Sequence, residues 1–362
     1  MFAKRSRPLA STLLAAFCSF GLLAAAPALA AGKLPHVVIL ATGGTIAGTG
    51  ASSTTTVGYT AAKVGVDGLI AAVPELQKVA HVTGEQPLQI ASENITNADW
   101  LKLSKRVNEV LARPDVDGVV ITHGTDTLEE TAYFLDLTVH SDKPVVIVGA
   151  MRPSTAISAD GPINLYNAVI LAGSKEAVGK GVLVAMNDQI NAGREVTKTN
   201  TSTADTFKTP ELGMLGYMQD NAPHFYRLPL RKHTSQSPFD VSHMTSLPQV
   251  DIIYGYGNDN RIALDAFVKA GSKGIIYAGV GDGSISDALK PALQEARKQG
   301  VIIVRSSRVG NGIVARNGEA NDDKLDYVVS DTLNPQKARI LLMLALTKTH
   351  DTKKIQQMFY TY

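Results

Sequence analysis

The sequence predicts an α/β protein of two domains with mainly parallel sheets, and three observations carry that prediction. Short runs rich in β-branched residues recur along the chain, each followed by a small or polar loop and then an amphipathic stretch, the alternation of parallel strands with crossover helices. The runs are almost continuously apolar, as strands buried on both faces are. A chain of 362 residues, 44% of them hydrophobic, has material for about two cores at roughly 100–200 residues per domain.

In chain order, residues 1–30 stand apart as a secretory signal. Lys4, Arg5 and Arg7 precede an apolar run over 13–26, and Ala28-Leu29-Ala30 offers a small-residue cleavage site, with cleavage expected after Ala30. The apolar run is short of the roughly 20 residues that a spanning helix needs, so the mature protein is expected to be periplasmic with no membrane segment. Cys18, the only cysteine, leaves with the signal, which removes disulfides, zinc-thiolate sites and cysteine nucleophiles from consideration. Loss of three cationic residues also takes the formal charge from +2 to −1. The basic balance of the whole chain therefore gives no reason to expect nucleic acid as a partner.

The clearest strands are His36–Ala41, Gly118–Thr122, 144–149 and 181–186, followed by Val250–Tyr254, 274–278 and 301–304. Between them, Trp100, Leu103, Val107 and Leu111 share one helical face after a cap at Thr96 or Asn97, and Leu128, Tyr133 and Leu135 belong to another helical stretch. From about residue 221 the rhythm breaks into prolines, Arg227, Arg231, Lys232 and repeated Ser/Thr. We place a linker at 227–247, between a catalytic domain over 31–226 and a second domain over 248–362.

Ligands of open α/β sheets bind beyond the carboxyl ends of the strands, so the loops after each strand hold the chemistry. The first is Thr42-Gly43-Gly44-Thr45-Ile46-Ala47-Gly48, where adjacent glycines permit close backbone approach and two threonines present hydroxyls. Neither a dinucleotide fingerprint nor a P-loop fits its spacing, and no lysine follows the glycines; a plain tight turn is the alternative. The second is His123-Gly124-Thr125-Asp126-Thr127, running into Leu128-Glu129-Glu130. A hydroxyl and a carboxylate at a helix start suit an N-cap, and they also stand beside free backbone N–H groups that can bind an oxyanion.

A third stretch, Arg194-Glu195-Val196-Thr197-Lys198-Thr199-Asn200, alternates like a strand, with Glu195, Thr197 and Thr199 on one face and Val196 and Lys198 on the other. A lone lysine is ordinarily a solvated surface charge; buried beside Thr125, its amine could serve as a base. There is no G-x-S-x-G elbow and no H-E-x-x-H, and the histidines lack ligand spacing, so no metal and no cofactor are expected. His123 reads as structural, and Gly281-Asp282-Gly283 as a turn.

Together the two threonine loops resemble the signatures of the bacterial type II L-asparaginase and glutaminase-asparaginase family: Ala41-Thr42-Gly43-Gly44-Thr45-Ile46-Ala47 and Ile121-Thr122-His123-Gly124-Thr125-Asp126-Thr127. Further similarity runs through Val148-Gly149-Ala150-Met151-Arg152-Pro153-Ser154, Val196-Thr197-Lys198-Thr199-Asn200, Arg305-Ser306-Ser307-Arg308 and Thr332-Leu333-Asn334-Pro335-Gln336-Lys337-Ala338-Arg339, and so covers essentially the whole mature chain. The resemblance implies a larger, flavodoxin-like N-terminal domain and a smaller C-terminal one. It implies hydrolysis of the side-chain amides of L-glutamine and L-asparagine, with Thr45 as nucleophile and Tyr59, on a mobile flap, assisting its deprotonation. Thr125, Asp126 and Lys198 form the second catalytic cluster, and either an acyl-enzyme on Thr45 or direct attack by water with Thr125 participating is compatible with the family.

The same resemblance assigns the substrate α-carboxylate to Ser92 and backbone groups, and the α-ammonium to Asp126, Glu93 and Glu319. Asn258 and Glu319, from the second domain, are implied to approach from a neighbouring subunit of a homotetramer. Glu93 stands where many strict asparaginases have glutamine, which favours dual specificity over a strict L-asparaginase. A periplasmic amino-acid-binding protein shares the export signal, two α/β domains and an amino-acid-sized crevice, but a passive binder needs no paired threonines with a lysine. A nucleotide-dependent enzyme would need the phosphate loop that the first strand lacks.

Overall fold

Five parallel strands form one half of the larger sheet; all but the one at its edge are apolar on both faces, and each face has its own helical cover. In the computed structural model, which describes residues 33–362, these strands are β1 (His36–Ala41), β2 (His81–Glu85), β3 (Gly118–Thr122), β4 (Val145–Val148) and β5 (Val182–Met186). Neighbours among them pair in parallel, in the order β5-β4-β3-β1-β2. Alternate residues divide between two cores. Val38, Leu40, Val119, Ile121, Val145 and Ile147 face one, and Val37, Ile39, Ala41, Val120, Val146 and Val148 face the other.

Each of the seven clearest predicted strands is present, with ends shifted by at most a few residues, and the fold is the expected mixed α/β one with mainly parallel sheets. The predicted signal over 1–30 lies outside the described residues. Strand β2 carries no apolar run because it sits at the sheet edge and is half exposed. The larger sheet continues past β5 in an antiparallel extension of β6 (Gln189–Ala192), β9 (Gly216–Gln219) and β10 (Ala222–Phe225). Asn187-Asp188 and Asp220-Asn221, all at positive φ, make the two tight hairpin turns of that extension. A two-stranded ladder, β7 (Thr197–Lys198) with β8 (Phe207–Lys208), lies beside it.

The smaller sheet is wholly parallel: β11 (Val250–Tyr254), β12 (Gly274–Gly279), β13 (Ile302–Ser307) and β14 (Val328–Val329), in chain order. Between the sheets, Phe239 and Val241 of the 227–247 segment are buried in a core to which both sheets contribute. Helix Pro335–Leu346 enters the same core and packs against helix Leu128–Thr138 of the N-terminal half. Among the described residues, no helix is long and apolar enough to cross a membrane.

The capping expectation resolves in favour of Thr96. Its side chain accepts from Asp99 N at 3.2 Å while Asp99 Oδ2 accepts from Thr96 N at 3.0 Å, a reciprocal box at the start of helix Asn97–Leu111. That helix buries Trp100, Leu103, Val107 and Leu111.

The order of the parallel strands fixes where a ligand can enter. From β1 the chain moves to one side for β2 and then returns to the other for β3, β4 and β5, so the loops leaving β1 and β3 diverge to opposite faces of the sheet. Such a switch point opens a crevice at the carboxyl ends of the two strands.

Candidate active site

Glycine brings the two loops together at that crevice. Gly43 and Gly44 have φ of 108° and 78°, a left-handed region that glycine occupies without penalty. A Cβ on Gly44 would stand 2.2 Å from the Gly124 Cα, and one on Gly124 would stand 2.5 Å from Ser92 Oγ. The β1 and β3 loops thus touch backbone to backbone, with Ser92 wedged against the contact. Thr45 follows at the start of a short 3-10 turn, Thr45–Ala47, and is buried.

Thr45 Oγ1 shares a hydrogen bond of 2.7 Å with the Tyr59 hydroxyl. Tyr59 ends a loop closed by backbone bonds between Thr49 and Thr60 (2.9 and 3.0 Å) and pinned at its base where Gly48 O accepts from Ser154 N and Oγ at 2.9 and 2.7 Å. Residues 51–58 of this loop are mostly exposed Ser, Thr and Gly.

On the facing wall, Thr125 and Asp126 lie just before helix Leu128–Thr138. Lys198 Nζ donates to Thr125 Oγ1 at 3.0 Å and to Asp126 Oδ1 at 2.7 Å. The lysine is therefore not a solvated surface charge; its side chain is 16% exposed while that of Asp126 is 59% exposed toward the crevice. Ser92 Oγ accepts from Asp126 N at 3.3 Å, and Thr127 Oγ1 donates to Ser92 O at 2.8 Å. Thr45, Tyr59, Ser92, Glu93, Thr125, Asp126 and Lys198 all line one polar cavity of about 600 Å³.

The strand expected over 194–200 is only partly formed. Glu195 N and Val196 N both bond back to Ala192 O, making a turn, and ladder pairing is confined to Thr197 and Lys198. Alternation still governs the side chains: Val196 is fully buried, and Thr197 turns the other way to donate to Glu129 Oε1 at 3.2 Å.

His123 is enclosed, with Nδ1 2.7 Å from Gly124 O and Nε2 2.9 Å from Thr131 Oγ1. Burial pushes its imidazole down to about 4, so it stays neutral at ordinary pH and braces the β3 loop, as a structural histidine does. Gly281-Asp282-Gly283 is a turn, with both glycines at positive φ.

Asn258 and Glu319 do not line the cavity of their own chain. Asn258 is exposed at φ 64° in the loop after β11, and Glu319 is exposed in the loop after β13. Conversely, the cavity is also lined by Thr56, Val57, Arg152, Thr201 and Ser202, residues to which sequence reasoning assigned no role. The Met151-Arg152 pair carried a signal, since it lies in a family-like motif; its backbone N–H groups both donate to Asp160, at 2.9 Å each. The described residues include no cluster of His, Cys, Asp and Glu able to hold a metal.

Comparison with known proteins matches this chain to a family. The model for "Asparaginase, N-terminal" matches residues 36–231, and that for "Glutaminase/Asparaginase C-terminal domain" matches 249–359. A glutaminase-asparaginase of Pseudomonas fluorescens biotype A is 58% identical over 331 residues, 91% of each chain. An L-asparaginase 2 of Bacillus subtilis is 59% identical over 329 residues, 91% of this chain and 87% of the other. A crystal structure described as a probable cytoplasmic L-asparaginase from Campylobacter jejuni superposes with a TM-score of 0.88 at 52% identity, covering 91% of this chain and 100% of that one. With both halves matched in order and the likeness running over nine-tenths of its length, the chain belongs to the asparaginase family.

Proposed function

We propose that the protein hydrolyses the side-chain amides of L-glutamine and L-asparagine to the acid and ammonia, with Thr45 as the nucleophile. One observation carries the reading: a threonine hydroxyl bonded to a tyrosine faces, across one polar crevice, a second threonine whose lysine partner also bonds a carboxylate. Thr45 Oγ adds to the amide carbon as its proton passes to the Tyr59 oxygen and the Tyr59 O–H proton is handed on toward the amide nitrogen. The C–N bond breaks as the nitrogen takes up that proton and leaves as ammonia, and water then adds to the ester carbon and restores the Thr45 hydroxyl. Thr125, whose oxygen accepts from Lys198, keeps its own O–H free to donate toward the reacting centre.

The substrate is a zwitterion, and its two ends need opposite partners. Ser92 with nearby backbone N–H groups suits the α-carboxylate. Asp126 and Glu93, both on the cavity wall, suit the α-ammonium, with Asn258 and Glu319 completing the site from a neighbouring subunit of a homotetramer. Residues 1–30 are read as an export signal to the periplasm, and 227–247 as the linker between domains 31–226 and 248–362. Glu93 on the wall favours acceptance of both amides; a single methylene between them is worth only about 1–3 kcal/mol in such a pocket.

The purified protein is expected to release ammonia from both L-Asn and L-Gln, measured by steady-state kinetics on each. Glutamine turnover lower by orders of magnitude would restrict it to a strict asparaginase, and tight amino-acid binding without ammonia would make it a binding protein. The exposed 51–58 loop is expected to act as a flap. Hydrogen exchange over 47–59 should slow when L-aspartate is added, because closure over the ligand protects backbone N–H groups that now face solvent; unchanged exchange would remove the flap from the mechanism.

A further inference from the structure

Behind the Thr125–Lys198 contact lies a second polar cluster, built on two buried charged side chains and outside the cavity that Thr45 and Thr125 line. Glu129, in the first turn of helix Leu128–Thr138, is buried. Its carboxylate accepts from Thr197 Oγ1 at 3.2 Å, Asn334 Nδ2 at 2.9 Å and Gln336 Nε2 at 3.2 Å. Lys337, on helix Pro335–Leu346, is 2% exposed and stands 3.9 Å from Glu129 Oε2. Its ammonium donates to Gly193 O at 3.1 Å, to Arg194 O at 2.8 Å and to Val196 O.

Those three carbonyls belong to the turn that ends just before Lys198, and Thr197 is the residue next to it. Ladder pairing through β7 and β8 involves only two residues on each strand, too few to fix a side chain unaided. Burying an ammonium and a carboxylate is costly unless each is paired and hydrogen-bonded, and here burial lowers the Lys337 amine to about 8 despite the attraction of Glu129. A cluster formed at that cost, with all three Lys337 bonds and one Glu129 bond directed at the segment carrying Lys198, has a use beyond filling space.

We propose that Glu129 and Lys337 are positioning residues that clamp the 193–197 segment from two sides, so that Lys198 Nζ meets Thr125 Oγ1 and Asp126 Oδ1 from one fixed direction. The inference rests on the amide-hydrolysis reading of the site. It also gives a task to the 332–339 motif, which lies in the C-terminal half yet reaches back to shape the N-terminal site through Asn334, Gln336 and Lys337.

Glu129→Gln, Lys337→Met and the double variant, each in the full chain, test it. Glu129→Gln keeps the shape and replaces one acceptor by a donor facing other donors. The expected result is a fall in kcat for L-Asn of about 10²-fold, the loss that accompanies a misplacement of about 1 Å, with KM changed by less than about threefold. In a crystal structure of Glu129→Gln, the Lys198 Nζ to Thr125 Oγ1 separation should grow from 3.0 Å to beyond about 3.5 Å.

The double variant, having no buried charge left unpaired, should regain thermal stability lost by either single variant without regaining kcat. A purely structural pair would do the reverse, keeping wild-type kcat per folded molecule as Tm falls. That outcome, or an unmoved Lys198 in the Glu129→Gln structure, overturns the proposal, and Glu129→Gln carries the test alone if Lys337→Met fails to fold. Wild-type protein that releases no ammonia from either amide sinks the hydrolase reading instead, and the crystallographic separation still decides the positioning role.

Discussion

Replacing Thr45 with valine is expected to lower kcat for both amides by about 10⁴-fold or more, ~5.5 kcal/mol of barrier, while leaving thermal stability close to that of the wild type. Valine keeps the branched shape in a nearly enclosed position and removes only the oxygen that bonds to Tyr59. Because the facing wall of Thr125, Asp126 and Lys198 is untouched, substrate binding should persist and KM should change little. Thr45→Ser restores a hydroxyl at the same atom and should recover part of the rate. Stopped assays with protein concentrations high enough to read a 10⁴-fold loss decide the matter; a valine variant at full rate would remove Thr45 from the chemistry.

The largest stability effect is expected at Asp322. Arg305 and Asp322 are both fully buried, and the guanidinium uses all five of its N–H groups: two to the Asp322 carboxylate (2.7 and 2.8 Å) and three to the carbonyls of Asp282, Gly283 and Ala315. Asp322 also accepts from Asn317 N at 2.7 Å. Asp322→Asn leaves a buried guanidinium without its counter-charge and turns an amide donor toward other donors. The expected cost is about 3–5 kcal/mol of unfolding free energy, seen as a lowered denaturant midpoint. Pairing Asp322→Leu with Arg305→Met should recover most of it, since an apolar pair leaves no charge stranded. The same carbonyls come from the turn after β12 and the loop after β13, so the single variant should also loosen the loop that carries Glu319.

Much of this architecture was legible in the sequence because its strands are buried on both faces. Apolar runs such as Val37 to Ala41 cannot be mistaken for solvated loops, and the loops that follow them are the ones the switch point selects. The convergence of Thr45, Thr125, Asp126 and Lys198 on one cavity was legible for a different reason: each sits in a short motif whose residue types make sense only together. Strands β2, β6, β9 and β10 were missed because they are short or half exposed, and no continuous apolar run marks them. Asn187-Asp188 and Asp220-Asn221, which make two of their turns, were passed over with them. The roles of Glu129 and Lys337 were invisible, because nothing in a sequence tells that residues about 200 positions apart bond to one another. Arg152, Thr201 and Ser202 were missed because loop residues acquire meaning only from the cavity they border.

The backbone contact between Gly44 and Gly124 has a consequence for altering what the enzyme accepts. Any side chain at either position collides with main chain or with Ser92, so the floor of the pocket cannot be remodelled without prising the β1 and β3 loops apart. Libraries aimed at a new substrate therefore gain nothing from these glycines. Diversity is better spent on the rim, at Thr56, Val57, Glu93, Arg152, Thr201 and Ser202, where bulk and charge can change while the reacting atoms keep their spacing.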